Sequence, residues 1–148
     1  MWKLLVLLHA VSAIALLGAS THHAVVAVLA LRGRPRPRLA RIYSLVVLVS
    51  FAVTFAFGAS AYPRFRHLVR ALYLDAYAMW ASRLFEAKED LAAMGLPLVG
   101  LSFILARATD AKVERISLVG YVVATVSVAA IVWFDLVCGL LITMTKAG

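Results

Sequence analysis

From Leu4 to Leu31 the chain runs without a single Asp, Glu, Lys or Arg. About 20 apolar residues suffice for a helix to cross a bilayer's hydrocarbon core, and only helices and closed barrels satisfy their own backbone polar groups there. The run therefore predicts a transmembrane helix, long enough to tilt or to project beyond the hydrocarbon. It ends at Arg32-Gly33-Arg34-Pro35-Arg36-Pro37-Arg38, where prolines cannot continue a helix and arginines cannot enter lipid. The opening Met1-Trp2-Lys3, the apolar stretch to Leu17 and Gly18-Ala19-Ser20 have the outline of a secretory signal. The continuation through His22 and His23 to Leu31 is too long for a signal core and reads as a retained helix.

Composition extends this conclusion to the rest of the 148 residues. Hydrophobic residues make up 64% and charged residues 15%, against roughly half and a quarter in soluble domains. There is room for about four or five spans and for no sizeable extramembrane catalytic domain. Fifteen Lys and Arg against seven Asp and Glu give a formal charge of +8. The basic residues lie between apolar runs, where they set membrane orientation, so nucleic-acid binding is excluded as a reading. The single cysteine, Cys138, has no internal disulfide partner.

Three further spans follow. Ile42 to Tyr62 forms the second, with Ala52, Ala56 and Ser60 at four-residue intervals making a smooth face for another helix, and Pro63 marks its end. Between about 64 and 80, Phe65, Leu68, Val69, Leu72, Ala76, Met79 and Trp80 fall on one helical face and Arg66, His67 and Arg70 on another, which predicts an amphipathic helix lying at the membrane surface. The third span needs residues 82–106 to reach crossing length, and Pro97 is expected to kink it. The fourth covers about 116–145, interrupted only by Asp135. The fold class is thus all-α: one integral-membrane domain over residues 1–148, a four-helix bundle with an interfacial helix between spans two and three.

The loops set the orientation. Arg32, Arg34, Arg36, Arg38 and Arg41 lie in the first and Arg107, Lys112 and Arg115 in the third, so loops 32–41 and 107–115 are expected in the cytoplasm and both termini outside. The localisation this implies is a bacterial inner membrane. Trp2, Tyr62, Trp80 and Trp133 read as interfacial anchors or packing groups.

Distance along each helix from the cytoplasmic end gives depth at about 1.5 Å per residue. His9 lies 23 residues from Arg32, Glu86 21 from Arg107 and Asp135 20 from Arg115, which puts three ionisable groups near one level in the outer half. His67 sits at the same end. These four are expected to converge, because an ionisable group in the membrane is costly unless partnered. Asp135 would then pair with Arg83, Lys88 or another chain, and Asp135 with Glu86 would make a proton relay. Glu86, Glu89 and Asp90 share a helix face. Their repulsion would recruit a cation, giving a candidate metal set of His9, Glu86, Glu89 and Asp90. The alternative is a solvated helix end in which Arg83 pairs with Glu86.

His9 and His23 are about four helical turns apart, on nearly the same face and about 21 Å apart in depth. That spacing resembles the histidine spacing of membrane b-type cytochromes, making His9, His23 and His67 candidate haem b ligands. Spans two to four contain no histidine, so His67 would have to complete a site with His9. His22 points elsewhere and reads as interfacial. The segment Leu7-Leu8-His9-Ala10-Val11-Ser12-Ala13-Ile14, with Gly18, also resembles the first helix of small membrane proteins of the copper-resistance CopD-like group and of four-helix haem anchors. The resemblance covers one helix and implies copper or haem handling, but no Met-rich or Cys-His cluster supports soft-metal capture.

No nucleophile elbow, phosphate loop or HExxH motif is present. The leading expectation is a small subunit, without catalysis of its own, in a larger bioenergetic, electron-transfer membrane complex. Its partners would be the lipid bilayer and other membrane subunits or further copies of itself. The competing expectations are a haem- or metal-binding electron-transfer protein and a small proton-coupled transporter.

Overall fold

A computed structural model describes residues 2–108 and 115–147. Residues 109–114 of the third loop, Lys112 among them, lie outside the described residues, as does the expected placement of that loop. Four long helices make up the structure: α1, Trp2–Leu31; α2, Pro37–Phe65, which continues through Arg66–Leu74 and Asp75–Tyr77; α3, Met79–Ala108; and α4, Arg115–Ala147. All four are long and apolar enough to cross a membrane. The fold is an all-α four-helix bundle.

The basic turn after α1 has a local cause. Gly33 sits at φ +75°, a conformation open to glycine at no steric cost, and Gly33 and Arg34 donate their N–H groups to Ala30 and Leu29. That pair of bonds satisfies carbonyls left open at the end of α1. Pro37 then occupies the first position of α2, where its missing N–H costs nothing.

Pro63 does not end the second helix. It lies inside α2, and after it the backbone widens into π winding from Arg66 to Leu74, with the Asp75 N–H bonded to the Arg70 carbonyl five residues back. A proline lacks the donor its own turn needs, and a shift of hydrogen-bond register is one way to absorb that defect without breaking the helix. The break comes instead at Ala78, whose backbone leaves the helical region at φ −145°, ψ 60°. Of the expected surface helix over 64–80, residues 64–77 are therefore the far end of α2, and Met79 and Trp80 open α3. The predicted apolar face divides: Phe65 and Val69 pack with Tyr73, Leu74, Ala78, Ala81, Phe85 and Ile142, while Leu68, Leu72, Met79 and Trp80 are exposed. α3 starts at Met79 rather than Ser82, and Pro97 lies within it.

Around the bundle α1 packs on α2, α2 on α3, α3 on α4 and α4 on α1; neither diagonal pair approaches within 8 Å between Cα atoms among the described residues. All four helices meet in a central layer of Leu16, Ala19, Val47, Phe51, Val99, Val128 and Val132. Below it, towards the loop end, Val26, Ala27, Ala40, Ala106, Leu118, Tyr121 and Val122 form a second layer. The outside is studded with bare aliphatic groups, Ile14, Ile104 and Leu140 among them, while Ser20, Ser44, Ser102 and Thr125 are buried. That distribution suits a lipid exterior. Each of these four hydroxyls bonds a carbonyl three or four residues back in its own helix, so none of the four needs a partner across the interface.

Candidate functional site

Two polar layers cross this apolar interior. The inner one joins α1 to α4: His23, 1% exposed, shares a 2.9 Å hydrogen bond between its Nε2 and the Tyr121 hydroxyl. The rings pack at 5.6 Å between centroids. Deleting one partner leaves a buried polar atom unsatisfied at a cost of about 1–3 kcal/mol, and Tyr121→Phe is expected to lower stability by that amount in a bicelle unfolding assay. His23→Leu, which removes the other partner too, should recover part of the loss.

The outer layer follows from the inner one by helix geometry. The interval from His9 to His23 on α1 equals the interval from Tyr121 to Asp135 on α4. That interval is close to four whole turns, and α1 and α4 run antiparallel. The contact between His23 and Tyr121 therefore puts His9 and Asp135 at one common level about 21 Å further out. His9 turns towards α2, where its Nδ1 lies 3.0 Å from the Thr54 carbonyl oxygen. A carbonyl only accepts, so Nδ1 carries the proton and Nε2 is left as the acceptor. The ring fits there because residue 58 is glycine: a Cβ at that position would stand 3.1 Å from His9 Cε1.

Asp135 is half-buried, and its Oδ1 is enclosed without a hydrogen-bond partner, as is Thr54 Oγ1. Lys88 of α3, also half-buried, lies within electrostatic reach of both His9 and Asp135. Thus α1, α2, α3 and α4 contribute His9, Thr54, Lys88 and Asp135 to one level of the bundle. Among the described residues no ion pair within 4.0 Å joins the charged members. A layer with unpartnered acceptors on two helices, an imidazole acceptor on a third and an ammonium on the fourth can hold a proton or a small polar guest.

The remaining predicted residues fall elsewhere. Glu86 is exposed and is bound by Arg70 from the π-wound end of α2, not by Arg83; Arg70 also stands 3.8 Å from Asp75, which accepts a hydrogen bond from Ser82. This surface network ties the turn at Ala78 to the start of α3. Asp90 is exposed and Glu89 half-buried. His67 is exposed on the π-wound stretch, and no hydrogen bond or ring contact joins it to His9 among the described residues. No group of three or more His, Cys, Asp or Glu side chains is placed to hold a metal ion among those residues. His22 is exposed, bonds the Gly18 carbonyl and stacks on Tyr43. For haem, His23 Nε2 is engaged by Tyr121, which leaves His9 Nε2 as the histidine nitrogen open at the outer layer.

Lys88 is one of the cations expected near Asp135; Thr54 and Tyr121 are the members that the spacing of ionisable groups does not single out. Tyr121 stands among apolar neighbours in α4, so nothing in its local sequence marks it; it becomes meaningful through its contact with His23. Comparison of the chain with protein-family models, with curated proteins and with solved structures finds no match.

Proposed function

We propose that the chain is a small non-catalytic subunit of a larger membrane assembly. The observation that carries this reading is the position of the small-residue face of α2. Ala52, Ala56 and Ser60 are all exposed, while α2 meets its own bundle through Ala40, Ser44, Val47, Phe51 and Thr54. Small side chains at four-residue intervals are the face by which membrane helices approach closely, since lipid offers little hydrophobic drive for association. In this chain that face is left to something outside the bundle. Native mass of the protein in mild detergent tests the proposal. The wild type should run as a complex, and Ala56→Leu should release the single chain with its fold intact; a wild type that is monomeric both in detergent and in bilayer discs contradicts it.

A second reading, a proton relay, is favoured by the unpartnered Asp135 Oδ1 at the level of His9. It predicts dye-detected proton flux in proteoliposomes that His9→Ala and Asp135→Asn each abolish. A haem-binding variant of this reading would use His9 Nε2, and the visible spectrum of the purified protein decides it.

The expected topology places loop 32–41 in the cytoplasm. With the buried Cys138 replaced by serine, Gly33→Cys should resist a membrane-impermeant maleimide in intact cells and react in inverted vesicles. Labelling in intact cells reverses the topology.

A further inference from the structure

At the loop end of the bundle, beyond the inner polar layer and far from His9, a cleft of about 530 Å³ opens between the helix ends. Val26, Ala30, Leu105 and Leu118 give it an apolar side, Tyr121 of the inner polar layer also borders it, and three arginines, Arg36, Arg41 and Arg107, stand around it. These come from the α1–α2 turn, from α2 and from α3, so three separate segments bring positive charge to one opening.

Arg107 is held in place. Its Nη1 donates to Ser44 Oγ at 2.9 Å and to the Phe103 carbonyl at 3.1 Å, its Nη2 donates to the Arg41 carbonyl at 3.4 Å, and the guanidinium carbon lies 3.6 Å from the centre of the Phe103 ring. Three of a guanidinium's five N–H donors are thereby used inside the protein, and two remain in a fixed orientation. A guanidinium fixed in this way costs little entropy when it binds, and its forked donors match the oxygens of a phosphate.

We propose that this cleft binds an anionic phospholipid, with the phosphate between Arg36, Arg41 and Arg107 and the acyl chain along the apolar side. Charge complementarity selects an anion. The apolar lining selects an amphiphile over a free ion, since inorganic phosphate gains nothing from contact with Val26 or Leu118. A basic pocket between transmembrane helices is the setting in which anionic headgroups are recognised.

The test is thermal unfolding of the full chain in neutral detergent with added short-chain phosphatidylglycerol, phosphatidylcholine or inorganic phosphate. Phosphatidylglycerol should raise the midpoint in a saturable way, and the other two should not. Arg36→Gln with Arg41→Gln, both exposed positions whose side chains make no hydrogen bond among the described residues, should keep the lipid-free midpoint and weaken the apparent affinity on the order of tenfold or more. An equal shift with phosphatidylcholine, a shift with inorganic phosphate alone, no shift with any lipid, or a phosphatidylglycerol shift unchanged in the double variant overturns the proposal.

Discussion

Gly95→Leu is expected to abolish the folded bundle. A Cβ placed on residue 95 of α3 would stand 2.7 Å from Phe51 Cζ and 3.0 Å from Phe51 Cε2, with Ile131 Cγ2 at 3.8 Å. Phe51 belongs to the central layer where all four helices meet, and it is only 5% exposed. The ring therefore has no free space into which to turn. Even Gly95→Ala should destabilise: alanine gains about 1 kcal/mol of helix propensity over glycine, while overpacking a core costs about 1–3 kcal/mol. Leucine adds three more carbons at the same place. Phe51→Ala alone should cost about 3–5 kcal/mol through the cavity it leaves, yet combined with Gly95→Leu it should restore part of the fold, because the new side chain fills that cavity. Unfolding curves in bicelles measure each of these proteins against the wild type. A Gly95→Leu protein as stable as the wild type would show that α2 and α3 do not pack at this point.

The four helices were legible because their signals are local: long uncharged runs, and a basic, proline-bearing turn that no helix passes through. Pro63 misleads for a physical reason. A proline normally ends a helix or kinks it, but here the ladder moves to a five-residue register and continues to Tyr77. The widening also re-phases the side chains. Leu68 and Leu72, which a regular helix would place with Phe65 and Val69, turn outward instead.

Partner choice was less legible than position. Arg83 lies one turn before Glu86 in sequence, yet Glu86 pairs with Arg70, a choice set by where the end of α2 lies against α3. The level shared by His9 and Asp135 could be measured along the sequence, since it depends only on helix rise. Rotation could not, because equal depth does not fix which way a side chain faces. The contact between His23 and Tyr121 fixes that rotation at the inner layer, while further out His9 turns to Thr54 of α2.

The second large effect is expected from the outer layer itself. Lys88 and Asp135 stand on neighbouring helices, each half-buried, and Asp135 Oδ1 has no hydrogen-bond partner. The ammonium is the cation within electrostatic reach of that carboxylate. Breaking a fully buried ion pair costs about 3–5 kcal/mol; Lys88 and Asp135 are partly exposed and not within 4.0 Å of each other, so the loss should be smaller, about 1–3 kcal/mol. Removing both should cost less than the two losses together. The direct measurement is a double-mutant cycle of Lys88→Met and Asp135→Asn, read from unfolding in bicelles. A shared ionisable layer predicts that the double variant is more stable than additivity allows by about 1 kcal/mol or more. Losses that simply add, within about 0.5 kcal/mol, would contradict it and leave Lys88 and Asp135 as independent contacts.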